Sequence, residues 1–113
     1  MKLNTVIGDL FTSKDCLAHC VSKDMRMGKG IAVNFKNRFG QIDELIRQHK
    51  SVGECAVIKS GNRYIYYLVT KTKYYFKPTY DDLENSVIDM KKHIVANGIN
   101  KLSIPLIGCV LDK

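Results

Sequence analysis

Tryptophan is absent from this 113-residue chain, proline occurs only twice, and no Cys-x-x-Cys pair is present. No stretch approaches the roughly 20 apolar residues that a membrane helix requires. The opening residues, Met1-Lys2-Leu3-Asn4-Thr5, lack the apolar core of a secretory signal. The chain is therefore expected inside the cell, in the cytoplasm or, in a eukaryote, the nucleus. Cys16, Cys20, Cys55 and Cys109 stand in apolar, strand-like company and read as small buried hydrophobes. Cys16, His19 and Cys20 come nearest to a ligand set, but a strand sends Cys16 and His19 to opposite faces. No metal and no cofactor are expected.

What is present fits a soluble single domain: 45% hydrophobic and 26% charged residues, without repeats or low-complexity tracts. The net charge of +7 suits an anionic ligand or partner, without choosing among phosphates, nucleic acid and a modified acidic protein. A solvated basic face would carry the same sign.

Leu3–Ile7 reads as a first strand and Cys16–Val21 as a second, apolar enough to lie in a sheet covered on both faces. A helix with Ile31, Phe35 and Phe39 on one stripe stops at Gly40, and a shorter one carries Ile42, Leu45 and Ile46. Cys55–Lys59 and Tyr64–Thr70 form a hairpin turning at Ser60-Gly61-Asn62. Thr79 N-caps a helix with Asp82 at the capping-box position, and Asn97-Gly98 ends it after Leu83, Val87, Met90 and Ile94. Lys101–Ile107 is the last strand. The resulting order, β-β-α-α-β-β-α-β, implies an α/β fold with helices on both sides of the sheet. In such sheets ligands bind beyond the carboxyl ends of strands. Gly8-Asp9, Ser22–Gly30, Lys71–Lys77 and Gly108–Asp112 all follow strands and are expected to converge on one cleft.

Several of these residues can do chemistry, each with a plainer reading beside it. Gly28-Lys29-Gly30 before a helix offers backbone N–H groups to an anion, or is a simple tight turn. A second glycine loop, Gly108-Cys109-Val110-Leu111-Asp112, follows Pro105; two such loops together could grip a diphosphate. Asp9 is able to accept from an exocyclic amine, or to cap a loop. Lys71, fixed by the strand before it, is a nucleophile if half-buried and otherwise a solvated charge. His49 and His93 read as helix-surface residues. Tyr74, Tyr75 and Phe76 among Lys71, Lys73 and Lys77 either stack nucleobases or pack their own loop.

Six ordered blocks, Val6-Ile7-Gly8-Asp9-Leu10-Phe11, Leu17-Ala18-His19-Cys20-Val21-Ser22, Arg26-Met27-Gly28-Lys29-Gly30-Ile31-Ala32, Arg63–Lys71, Lys77-Pro78-Thr79-Tyr80 and Ile107–Asp112, resemble the macrodomain family, in particular its terminal ADP-ribose protein glycohydrolases. The resemblance runs from about residue 3 to the last residue. It implies a three-layer α/β/α domain with a mixed central sheet, spanning residues 1–113 and incomplete at the C-terminus. It also implies removal of ADP-ribose from modified acidic side chains and deacylation of O-acyl-ADP-ribose. By resemblance, Lys71 and Asp112 are the catalytic pair and Asp9 holds the adenine. Gly28-Lys29-Gly30 with Gly108, Cys109, Val110 and Leu111 cradles the diphosphate and distal ribose, and Ser22 lines the cleft. Leu10, Ile31, Thr70 and Pro105 complete the expected binding set.

Two departures temper that expectation. Val110 stands where the family has a second loop glycine, and a β-branched residue there opposes a positive φ or crowds the phosphates. The sequence also ends at Lys113, where the family continues with a helix and a strand, so an exposed apolar face and a homodimer are expected. The alternatives to hydrolysis are a reader module that binds ADP-ribose without turnover, and a hydrolase acting on ADP-ribosylated nucleic acid.

Overall fold

The computed structural model describes residues 2–6, 15–27, 31–73 and 76–105. Its elements are β1 (Lys2–Val6), β2 (Cys16–Ser22), α1 (Ile31–Phe39), α2 (Ile42–Arg47), β3 (Cys55–Ser60), β4 (Arg63–Lys71), α3 (Tyr80–Ala96) and β5 (Lys101–Pro105). This is the order read from the sequence. The expected ends of the first and last strands, at Ile7 and Leu106-Ile107, lie outside the described residues.

One mixed sheet runs β1-β5-β2-β4-β3. β1, β5, β2 and β4 are mutually parallel, and only β3 is antiparallel, paired with β4 through the hairpin. Gly61, at φ +63°, supplies the left-handed residue that this two-residue turn needs.

The composition of β2 and β4 dictates three layers. Every residue from Ile65 to Thr70 is buried, so β4 needs cover on both faces. Leu17, Val21, Ile65, Tyr67 and Val69 pack with Phe35 of α1 and Leu45 of α2. On the opposite face Cys16, Ala18, Tyr66, Leu68 and Leu102 pack with Met90 and Ile94 of α3. Leu17, Leu45, Leu68 and Leu102 are fully shielded, and burial of each side chain contributes roughly 1.5–3 kcal/mol. Among the described residues no helix is long and apolar enough to cross a membrane.

α3 begins and ends as its sequence specifies. The Thr79 hydroxyl accepts the Asp82 N–H at 3.1 Å. At the other end Gly98 takes φ +63°, and the Ile99 N–H returns to the Ile94 carbonyl at 3.1 Å, a Schellman closure. His93, expected on the helix surface, instead faces the sheet: its Nδ1 lies 2.7 Å from the Tyr66 hydroxyl. His49 lies after α2, exposed, at φ +51°.

β3 is a sheet edge, and side chains occupy its outward backbone groups. The Gln48 amide accepts the Val57 N–H at 3.1 Å and donates to the Val57 carbonyl at 2.7 Å. Asp89 accepts the Cys55 N–H at 2.8 Å, and Gln41 donates to the Lys59 carbonyl at 3.2 Å. A strand with these donors and acceptors already used offers a poorer template to another chain. Cys16 and Cys55 are free and buried as expected. Cys20 differs: it is half-buried and disulfide-bonded.

His19 shows how completely the α1 face excludes water. Its ring stacks on Phe35 with centroids 3.7 Å apart and meets Tyr67 edge-on at 4.8 Å. Neither ring nitrogen, nor the Tyr67 hydroxyl, finds a hydrogen-bond partner among the described residues. Burial lowers the His19 pKa from 6.5 to about 3. The unfolded chain therefore takes up a proton below pH 6.5 that the folded state refuses until about pH 3. Wild-type stability should fall across that window by up to about 1.4 kcal/mol per pH unit. A His19→Phe variant keeps a ring on Phe35 and should lose this part of the slope, leaving a smaller one from His93, whose pKa burial also lowers. Urea unfolding at a series of pH values measures both; equal slopes would contradict the assignment.

Candidate functional site

Four parallel strands place four chain exits on one edge of the sheet. β1 ends at Val6, β5 at Pro105, β2 at Ser22 and β4 at Lys71. The loops expected to share a cleft, 8–9, 22–30, 71–77 and 108–112, follow these four strands in sequence, and strand direction puts the four strand ends on one edge. Of the expected site residues, Ser22, Thr70 and Lys71, with the backbone of Ile31 and Pro105, fall within the described residues. Asp9, Leu10, Gly28, Lys29, Gly30, Gly108, Cys109, Val110, Leu111 and Asp112 lie outside them.

Register brings two of these residues together. Along β2 and β4 the pairs run from Leu17 with Ile65 to Val21 with Val69, and then shift so that Ser22 pairs with Lys71. Unbroken register would set Thr70 opposite Ser22, and Lys71 opposite Lys23. Thr70 is the extra residue of a β-bulge, a device that re-aims side chains at strand ends. It is buried, whereas Lys71 is half-buried at the lip of the sheet. The bulge is secured from the other strand, since the Lys23 N–H donates to the Lys71 carbonyl at 2.8 Å.

The turn after Ser22 is organised by a residue that the sequence reading passed over. Asp24 Oδ1 accepts a hydrogen bond from the Ser22 hydroxyl and another from the Arg26 N–H at 3.1 Å. The Met25 N–H closes the turn on the Ser22 carbonyl at 3.0 Å. Met25 takes φ +56°, costly for a side chain with a Cβ, and buries that side chain in the α1 layer. The available signal was Ser-x-Asp directly after a strand, the pattern of a side-chain-stabilised turn.

Electrostatics favour an anion at this edge. Segments 22–27 and 70–79 carry Lys23, Arg26, Lys71, Lys73 and Lys77 against a single acid, Asp24. Lys23, Arg26, Lys73 and Lys77 are exposed. Phe76 and Tyr80, close in sequence to Lys77, are 47% and 71% exposed.

A cavity of about 290 Å3 opens elsewhere, past the edge strand β3 and against α3. Much of its polar lining is engaged, Gln48 with Val57, Asp89 with Cys55, and Tyr66 with His93, while Lys50 and Lys92 also line it. Burial, helped by the Asp89 charge, raises the Cys55 thiol to about 12, so it is no nucleophile at neutral pH.

Residues 18–112 match the sequence profile of the Macro domain family. The chain is a macrodomain. It is 52% identical to the ADP-ribose glycohydrolase OARD1 of Homo sapiens over 99% of its own length and 75% of that protein's. The Bos taurus protein of the same name is 51% identical over the same shares. The macrodomain of Mycobacterium tuberculosis DarG superimposes with a TM-score of 0.83 at 23% identity, covering 95% of this chain and 77% of that one. A structure of Thermosipho africanus DarTG in complex with ADP-ribose matches with a TM-score of 0.79 at 21% identity, over 95% of this chain and 33% of that one. These two structural likenesses establish the shared fold.

Proposed function

We propose that this macrodomain is an ADP-ribose glycohydrolase that removes ADP-ribose from modified acidic side chains and deacylates O-acyl-ADP-ribose. The observation that carries the reading is the bulge at Thr70, which sets Lys71 opposite Ser22 at the edge where the parallel strands end. The 52% identity to human OARD1, an ADP-ribose glycohydrolase, supports the same reaction class.

In the proposed reaction the Lys71 amine, deprotonated, attacks the anomeric carbon of the distal ribose. The C–O bond to the carboxylate breaks with its electron pair, and the acidic side chain leaves as a carboxylate. The lysine nitrogen loses its extra proton as the lysyl-sugar adduct forms. Water then adds at the same carbon, the amine is expelled, and ADP-ribose is released. Asp112, outside the described residues, is the proposed carrier of the protons exchanged in these steps. Ser22 and the glycine loops hold the sugar and diphosphate, and the cationic rim compensates the phosphate charge.

A macromolecular substrate would meet the rim before the cleft. Exposed Phe76 and Tyr80 beside Lys73 and Lys77 favour a second reading, in which the ADP-ribose is carried on nucleic acid.

Release of free ADP-ribose from a glutamate-modified protein and from a modified oligonucleotide, with wild type and Lys71→Ala, tests both readings. Lys71→Ala should lose activity by a factor of about 10³ or more, and a trapped sugar adduct should map to Lys71. Faster turnover of the oligonucleotide, falling steeply with salt, would favour the second substrate. Wild-type binding of ADP-ribose without turnover would reduce the protein to a reader, and Val110→Gly should then restore hydrolysis. Full activity in Lys71→Ala would contradict the mechanism.

A further inference from the structure

Asp24, which follows the end of β2, has no role in the chemistry described so far. Its contacts give it one. Ser22 is 2% exposed and ends β2 directly opposite Lys71. A serine hydroxyl has one proton and two lone pairs. The proton is committed to Asp24 Oδ1, so the oxygen faces any further partner as an acceptor. With an ionised carboxylate as acceptor this bond is charge-assisted, and its direction is thereby fixed.

The same carboxylate oxygen also accepts the Arg26 N–H, and the turn it stabilises contains the strained Met25 at φ +56°. Strain of this kind persists only where surrounding contacts over-determine it. The turn is in turn bonded to the nucleophile's backbone, since Lys23, between Ser22 and Asp24, donates its N–H to the Lys71 carbonyl. One carboxylate thus governs two neighbours of the proposed reaction centre: the polarity of the Ser22 hydroxyl and the seat of the Lys71 backbone.

We infer that Asp24 is a positioning residue for the glycohydrolase reaction, acting through Ser22 and the Lys23–Lys71 bond. By accepting the hydrogen bond of the Ser22 hydroxyl it leaves the Ser22 oxygen's lone pairs to accept from a hydroxyl of the substrate ribose. By holding the turn it keeps the bulged end of β4 in place. The inference rests on Lys71 as the nucleophile. It requires an acceptor at position 24 rather than a negative charge in the cleft, so an asparagine, whose amide oxygen accepts from the same donors, should largely substitute.

The test is steady-state hydrolysis by wild type, Asp24→Ala, Asp24→Asn, Ser22→Ala and the Ser22→Ala/Asp24→Ala double variant. Lys71→Ala runs in parallel, and rates are corrected for the folded fraction by thermal melts. Asp24→Ala should lower kcat by about tenfold or more, the factor expected for one charge-assisted hydrogen bond. ADP-ribose affinity, read by calorimetry, should change less than kcat. Asp24→Asn should recover most of the rate. Because Asp24 acts partly through Ser22, its removal should cost clearly less in the Ser22→Ala background than in wild type.

A kcat per folded molecule that is unchanged in Asp24→Ala would overturn the inference and leave a purely structural turn. An equal Asp24 effect with and without the Ser22 hydroxyl would overturn it too, while an inactive Lys71→Ala keeps the reading of the reaction intact. An active Lys71→Ala would overturn both.

Discussion

The parallel pairing of β2 with β4 is the constraint from which the rest follows. Both strands are almost wholly apolar and buried, so neither face can meet water. That demand recruits α1 and α2 to one side and α3 to the other, and it divides the core into two clusters separated by the sheet. Strand direction does the rest. Because β1 and β5 join the same parallel set, every loop of chemical interest leaves the sheet at one edge. The candidate site is a consequence of how two greasy strands must be covered, sharpened by a single extra residue at Thr70.

Polar groups inside this scaffold are used with economy. Gln41, Gln48 and Asp89 spend their side chains on the backbone of the edge strand β3. Tyr66 and His93 satisfy each other in the α3 layer. At the strand-end edge the pattern differs: the buried Ser22 donates its hydroxyl to Asp24, and Lys23, Lys73 and Lys77 face solvent.

Much of the fold was legible in the sequence because local signals and tertiary demand agree. The runs Cys16–Val21 and Tyr64–Thr70 are too apolar for half-buried strands. Thr79 and Gly98 punctuate α3, and Gly61 marks the hairpin. Lys71 and Ser22 were legible as strand-end residues, and the family blocks gave them chemical roles. The bulge was not, because Thr70 carries none of the glycine that often announces one, and register is a property of two strands together. Asp24 was signalled only by the Ser-x-Asp spacing after β2, and its contact with the Ser22 hydroxyl is visible only in the structure. His93 read as surface because nothing in its helix reveals that Tyr66 presents a hydroxyl beneath it. Gln48 could not be read as a strand cap from a helix-end sequence.

The proposed seat of ADP-ribose is the edge formed by the ends of β2 and β4. Hydrogen exchange followed by mass spectrometry, with and without saturating ADP-ribose, tests it directly. Amides of Ser22–Met27 and Thr70–Lys73 should exchange more slowly in the presence of the ligand, while those lining the flank cavity at Gln48–Val57 and Asp89–His93 should be unchanged. Protection confined to the flank cavity, with none at the strand ends, would contradict the account.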